Sequence, residues 1–260
     1  MHTITFDPRV PCQIILVGVG GTGSLILTHL VRLDQAVRAL GGAGLWVRAF
    51  DPDRVSVSNL SRQNFAPGDV GRFKAVALTE RCNLYAGLNW EGHGRVLEAG
   101  DLKLASHLVI SAVDSGQARR ELLELLEGAG RLTYWLDCGN DAACGQVVLG
   151  QVGGGAALPH VVTLDPSGMA GGEDDVPSCS AAEALLRQHL FINPAVALQA
   201  AQMIGDLLLS GQTESAAVFV NLSGTARVLA APVPKKRKKR GEVRMAGLLP
   251  TQITTPQETL

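Results

Sequence analysis

QIILVGVGGTG, residues 13–23, is an apolar run that turns abruptly to glycine, and residues 22–40, TGSLILTHLVRLDQAVRAL, then carry apolar side chains at helical spacing. The pattern predicts a buried strand at Gln13–Val17, a tight turn, and a helix at Thr22–Leu40 with Leu25, Ile26, His29, Leu30, Leu33 and Val37 on one face. GGAG at 41–44 ends the helix, and LWVRAF at 45–50 is a second buried strand. The alternation continues outward. Helices are expected over 73–86, 117–127, 181–189 and 194–209, and strands over 108–112, 132–136, 146–152, 217–220 and 226–231. Strands interleaved with helices signal βαβ units. The expected fold class is α/β: a Rossmann-like sheet, mostly parallel in its N-terminal half with later antiparallel strands, and helices on both faces.

A chain of 260 residues, 46% of them hydrophobic, fits one α/β domain at 1–232 with short appendages. Aromatic residues are scarce beside 30 glycines, which suits helices packed closely on a sheet buried on both sides. The formal charge of −1 gives no general attraction to nucleic acid. Five cysteines without a C-x-x-C pair point to a reducing, cytoplasmic setting. No apolar run reaches the ~20 residues needed to cross a bilayer, so no membrane segment is expected. PSGMAGGEDDVPS at 166–178 reads as a mobile acidic surface loop, and 233–260 as a basic, unpacked tail containing KKRKKR at 235–240. No aromatic residues interleave with that basic run, so a solvated tail is preferred over nucleic-acid contact.

The chemistry begins at the turn. Gly18, Gly20, Gly21 and Gly23 lie between strand and helix, where absent side chains let backbone N–H groups and the helix N-terminus approach a phosphate. Such loops also serve as plain tight turns, or hold NAD or FAD. Asp51 ends the second strand, where these folds place an acid against ribose; the alternative is that Asp51 and Asp53 cap the turn around Pro52. The following residues favour a reacting triphosphate. Arg62 offers a planar fork and Lys74 a compact charge for a leaving pyrophosphate, while Asn59 and Gln63 add neutral donors and acceptors. Taken singly, Arg62 and Lys74 would be ordinary surface cations. Asp114 follows the apolar run LVISAV and could hold Mg²⁺ with phosphate oxygens, or simply cap the helix after it.

GVGGTG, DPDRVSVSNLSRQ (51–63), DVGRFKA (69–75) and AVDSGQAR (112–119) together resemble, in order and spacing, the ThiF/MoeB/ubiquitin-activating-enzyme (E1-like) adenylyltransferase family over about Cys12–Ala231. The resemblance implies ATP over the Gly18–Gly23 loop, ribose on Asp51, triphosphate on Asn59, Arg62 and Lys74, magnesium on Asp114, and Arg119 in place of the arginine that follows the family's magnesium aspartate. It also implies transfer of AMP to the C-terminal carboxylate of a small ubiquitin-like, β-grasp protein, by a homodimer. Cys179, in PSCS ahead of an expected helix, resembles the cysteine that takes the acyl group in relatives; its alternative is a small loop-capping residue. Cys12, Cys82, Cys138 and Cys144 are expected as packing residues, and His29, His107 and His189 as structural.

Three departures accompany the likeness. The family's C-x-x-C zinc pairs are absent, so no zinc is expected. An N-terminal helix carrying an arginine to a partner's ATP is replaced by a strand starting near Gln13, leaving only Arg9. DCGNDAACGQ (137–146), PSCS, LFIN and FVNLSG resemble the short ThiF-family proteins of the PRTRC plasmid system, which accompany a ubiquitin-like protein, an E2-like protein and a JAB-type peptidase. The rival functions are a non-catalytic nucleotide-binding scaffold and an NAD-binding oxidoreductase.

Overall fold

Side-chain alternation along the central strands sets the architecture, because successive residues of a strand face opposite sides of the sheet. In the computed structural model, residues 1–4, 6–103, 107–166 and 188–234 are described. Cys179, nearly all of the acidic 166–178 loop, most of the helix expected at 181–189, and the KKRKKR run lie outside them.

The elements in order are β1 (His2–Thr3), β2 (Cys12–Val17), α1 (Gly21–Ala39), β3 (Leu45–Phe50), α2 (Lys74–Ala86), β4 (Glu91–His93), β5 (Leu108–Ser111) and α3 (Gly116–Gly128). They continue as β6 (Thr133–Asn140), β7 (Cys144–Val152), α4 (Val161–Leu164), α5 (Ile192–Gly205), β8 (Gln212–Thr213), β9 (Ser215–Asn221) and β10 (Arg227–Pro232). Eight strands form one sheet in the order β10-β9-β7-β6-β5-β2-β3-β4. The run from β4 to β6 is parallel, and β6, β7, β9 and β10 pair antiparallel. This is the expected α/β, Rossmann-like class, parallel first and antiparallel later.

Each face carries its own core. Ile14 and Leu16 of β2 join Ile26, Leu27 and Leu30 of α1 and Val196, Ala197 and Ala200 of α5 on one side. Ile15, Val109 and Trp135 join Leu122 and Leu126 of α3 on the other. Fully burying each Leu or Ile contributes about 1.5–3 kcal/mol. Within α1 the expected stripe is rotated: Ile26 and Leu30 are buried with Leu27, Val31 and Asp34, whereas Leu25, His29, Leu33 and Val37 are half-buried. Asp34 is pulled inward because its carboxylate accepts the Leu45 N–H at 2.7 Å and Arg38 Nε at 2.8 Å, tying the end of α1 to the start of β3.

Other departures have local causes. β6 runs on through the polar DCGN because eight residue pairs with β7 support its backbone. β4 (EGH) has no apolar signature and exists as an edge strand paired to β3. The helix expected over 194–209 begins at Ile192 and closes in a π turn at Asp206–Ser210. None of the helices among the described residues is long and apolar enough to cross a membrane.

The chain passes from β2 to β3 on one side and returns to β5 on the other. Ligands of open α/β sheets bind at the carboxyl ends of strands where the order reverses in this way. Gly18 leaves β2 and Asp114 follows β5 at that point.

Candidate active site

The turn after β2 is built by contact distances that exclude side chains. Gly18 has φ +86°, and a Cβ there would stand 2.6 Å from the Ala112 carbonyl oxygen. A Cβ on Gly23 would meet the Gly18 oxygen at 2.0 Å, so the first turn of α1 lies directly against the loop. Gly20 faces open space instead. As N-cap it lends α1 no side-chain acceptor, and the first turn contains no acidic residue. The leading N–H groups of α1, which have no intrahelical partner, are thereby left for an anion.

That helix end opens into a cleft of about 930 Å³. Gly18, Gly20, Gly21, Asp51, Asp53, Arg62, Gln63, Lys74, Asp114 and Arg119 all line it. Residues far apart in sequence converge here because the segment after β3 folds back on the start of α2. Arg54 and Phe73 form a bridge, and the Lys74 N–H donates to the Asp53 carbonyl at 2.9 Å. The same fold-back sets Lys74 Nζ 2.7 Å from Asp53 Oδ2. The loop is also pinned to α1, where Ser24 Oγ accepts the Asn64 N–H at 3.1 Å.

Asp51 serves the turn as well as the cleft. Its oxygens accept the N–H groups of Val19 at 2.6 Å and Asp53 at 2.8 Å, so turn capping and a place in the cleft wall coexist. Burial pushes its carboxyl above the usual range, against the opposing pull of the Val19 N–H and the Lys74 charge. A carboxylate offers about four lone-pair sites, which leaves Asp51 capacity for a hydroxyl donor.

Arg62 donates from Nη1 to Gln188 Oε1 at 2.9 Å, while its buried Nε has no partner among the described residues. Burial lowers the pKa of its guanidinium. Gln63 Oε1 is likewise buried and unpartnered. Two buried polar groups in one cleft wall without a partner among the described residues suit a ligand's donors and acceptors. Asp114 is exposed and has no hydrogen bond among the described residues. The alternative that it caps α3 is excluded, since the Ala118 N–H donates to Ser115 Oγ at 3.1 Å. Among the described residues no cluster of three His, Cys, Asp or Glu side chains could hold a metal. A Mg²⁺ shared between one carboxylate and substrate phosphates fits this arrangement, because that ion keeps several waters and needs no protein cage.

Three of the expected residues have partners or surroundings that the sequence did not indicate. Asn59 is not part of the cleft wall: its Oδ1 accepts the Ser56 N–H at 2.9 Å and closes a turn. Arg119 is committed elsewhere, with Nε 2.9 and 3.0 Å from the two oxygens of Asp137 and Nη2 on the carbonyls of Val113 and Cys138. Cys144 is half-exposed in the cleft rather than packed away, and burial together with Asp141 raises its thiol pKa. Cys12, Cys82 and Cys138 are buried as expected, with burial pushing Cys12 up to about 12 and Cys82 to about 11.

The cleft also contains residues that sequence reasoning did not single out. Thr22 Oγ1 lies 3.0 Å from both Asn140 Oδ1 and Asn193 Oδ1, which share its single proton, and Asn193 Nδ2 donates to Gln188 Oε1 at 3.2 Å. Asn193 sits in FINPAV, a polar residue within an apolar helix start; that interruption was its only signal.

A family model described as ThiF family matches residues 10–240. No curated protein sequence matches the chain. Among solved structures, E. coli MccB superposes with a TM-score of 0.57 at 13% identity, covering 89% of this chain and 67% of that one. PaaA superposes at 0.56 with 14% identity, covering 85% and 64%. An E. coli MccB structure with ATP superposes at 0.55 with 14% identity and the same coverage. This chain therefore spans less than two thirds of the length of PaaA and of that MccB chain.

Proposed function

The chain belongs to the ThiF family, and on that premise we propose that it is an ATP- and Mg²⁺-dependent adenylyltransferase acting on the C-terminal carboxylate of a small ubiquitin-like protein. One observation carries the reading: Arg62, Lys74, Asp114 and the open N-terminus of α1 share a single cleft. A diphosphate cofactor is served by a helix N-terminus alone, whereas a reacting triphosphate needs cations where charge develops. Arg62 and Lys74 supply them.

In this proposal the substrate carboxylate attacks the α-phosphorus of ATP, the bond to the β-phosphate breaks, and pyrophosphate carries away the electron pair. The nucleophile is already ionised at neutral pH, so no general base is needed and the work lies in positioning and charge stabilisation. The N–H groups of α1 and the Gly18–Gly23 turn bind phosphate, and Asp51 binds ribose. Lys74, released from Asp53, and Arg62 face the leaving group. Asp114 would hold Mg²⁺, which neutralises phosphate charge when bound. The Cys179 thiolate then attacks the acyl carbon of the adenylate, the bond from that carbon to the phosphate oxygen breaks, and AMP leaves as the thioester forms.

Isotope exchange between pyrophosphate and ATP, with the purified ubiquitin-like partner, tests the reading. Exchange should appear with the parent chain and vanish in folded Arg62→Ala and Lys74→Ala, while Cys179→Ala keeps exchange and loses only a thioester. Exchange that survives in Lys74→Ala, or NADH bound in place of ATP, would overturn it.

A further inference from the structure

Arg119, in the cleft wall, belongs to a buried ion pair with Asp137 that the proposed reaction does not itself use. Asp137, on β6, is 0% exposed and Arg119, in the first turn of α3, 8%. Ser111 Oγ donates to Asp137 Oδ1 at 2.6 Å and in turn accepts Trp135 Nε1–H at 2.7 Å. Arg119 completes the group by donating to Asp137 and, from Nη2, to the Val113 carbonyl at 2.8 Å. Burying two charges costs several kcal/mol per ion after relaxation, and well-packed apolar residues would often be as stable, so stability alone does not account for the pair.

Its geometry does. Residues 112–115 join β5 to α3. The Ala112 N–H donates to the Val17 carbonyl at 2.8 Å, the Val113 carbonyl takes Arg119, and Ser115 caps α3. Asp114 is the member of this segment with no such tie among the described residues, so its neighbours are fixed while Asp114 itself is exposed and lines the cleft. We propose that Asp137 and Arg119 act as a positioning pair that holds the 112–115 segment and thereby the Asp114 carboxylate, and that Arg119 is not a nucleotide ligand. The proposal rests on Asp114 receiving the metal of bound ATP, as in the functional reading above. Removing partners that orient a metal carboxylate typically costs about 10–100-fold in metal affinity or activity.

Calorimetric titration of the full chain with ATP, with and without Mg²⁺, separates the possibilities without any acyl substrate. Asp137→Asn and Arg119→Gln should leave metal-free ATP affinity near that of the parent and lose about tenfold or more of the gain that Mg²⁺ confers. In an Asp114→Asn background Asp137→Asn should have no further effect on that gain, whereas a merely structural role would leave it unaltered in either background. If Asp137→Asn fails to fold, Ser111→Ala, which removes the hydrogen bonds to Asp137 and from Trp135 but keeps both charges of the pair, decides: a smaller loss of the Mg²⁺ gain supports the pair and an unchanged gain overturns it. Weakened metal-free binding in Arg119→Gln but not in Asp137→Asn would also overturn it, making Arg119 a direct phosphate ligand. Absence of ATP binding by the parent chain defeats the functional reading itself, while Mg²⁺-dependent binding indifferent to Asp137 defeats only the positioning pair.

Discussion

Lys74 keeps only 9% of its side chain in solvent, yet its ammonium pairs with Asp53, whose side chain is 65% exposed. A pair with one solvated member contributes about 1 kcal/mol or less to stability. Burial of the lysine stem contributes separately through packing. Lys74→Met should therefore unfold in urea within about 1 kcal/mol of the parent while ATP binding, followed by calorimetry, collapses. Arg62 presents the complementary case, since Gln188 Oε1 takes one of its donors and also receives Asn193. A hydrogen bond to a charged group is worth about 1.5–3 kcal/mol. Gln188→Ala should let Arg62 wander and weaken ATP binding by about tenfold, and unchanged affinity would show that Arg62 is held by other means. Arg62 and Lys74 could be singled out in the sequence because their charge beside a glycine loop is itself a chemical signal. Gln188 and Asn193 could not, since an amide gains meaning only from the atoms that surround it.

At the scale of elements, the strand–turn–helix unit of β2 and α1 depends on close backbone approach. Gly23→Ala would drive a Cβ into the Gly18 carbonyl and should destabilise the fold by roughly 1–3 kcal/mol, seen as a lower thermal midpoint. Gly20→Ala meets open space, so its thermal midpoint should stay near the parent's and any loss should fall on nucleotide affinity. Equal destabilisation by both changes would contradict this division. The bounds of β3 agree with expectation at both ends, and α1 and α2 shift by a single residue, because apolar period and glycine or proline punctuation mark them directly. β4 and the polar half of β6 escaped notice because neighbouring strands, not their own side chains, hold them in the sheet.

Across the whole molecule, titration links the fold to pH through His107. Its Nδ1 accepts the Gln13 N–H at 3.0 Å, and burial with the nearby Arg131 charge lowers its pKa below the ordinary 6.5. The unfolded chain binds a proton more readily at this site, so the stabilisation is fully present above pH 6.5 and is lost as pH falls through the depressed folded-state pKa. Burial lowers His29 and His160 in the same direction. Urea midpoints should fall between neutral and mildly acidic pH, and less steeply in His107→Asn; an identical slope in that variant would remove His107 from the account. The sequence by itself determined the α/β class, the glycine turn and Arg62 and Lys74 as candidate cations, because periodicity, missing side chains and formal charge are properties of the chain alone. Only the tertiary structure decided that Asn59 closes a turn, that Ser115 rather than Asp114 caps α3, and that Arg119 turns to Asp137. Those outcomes depend on which donors and acceptors come within about 3 Å once the sheet has formed, and hydrogen bonds of that length follow from packing rather than from order along the chain.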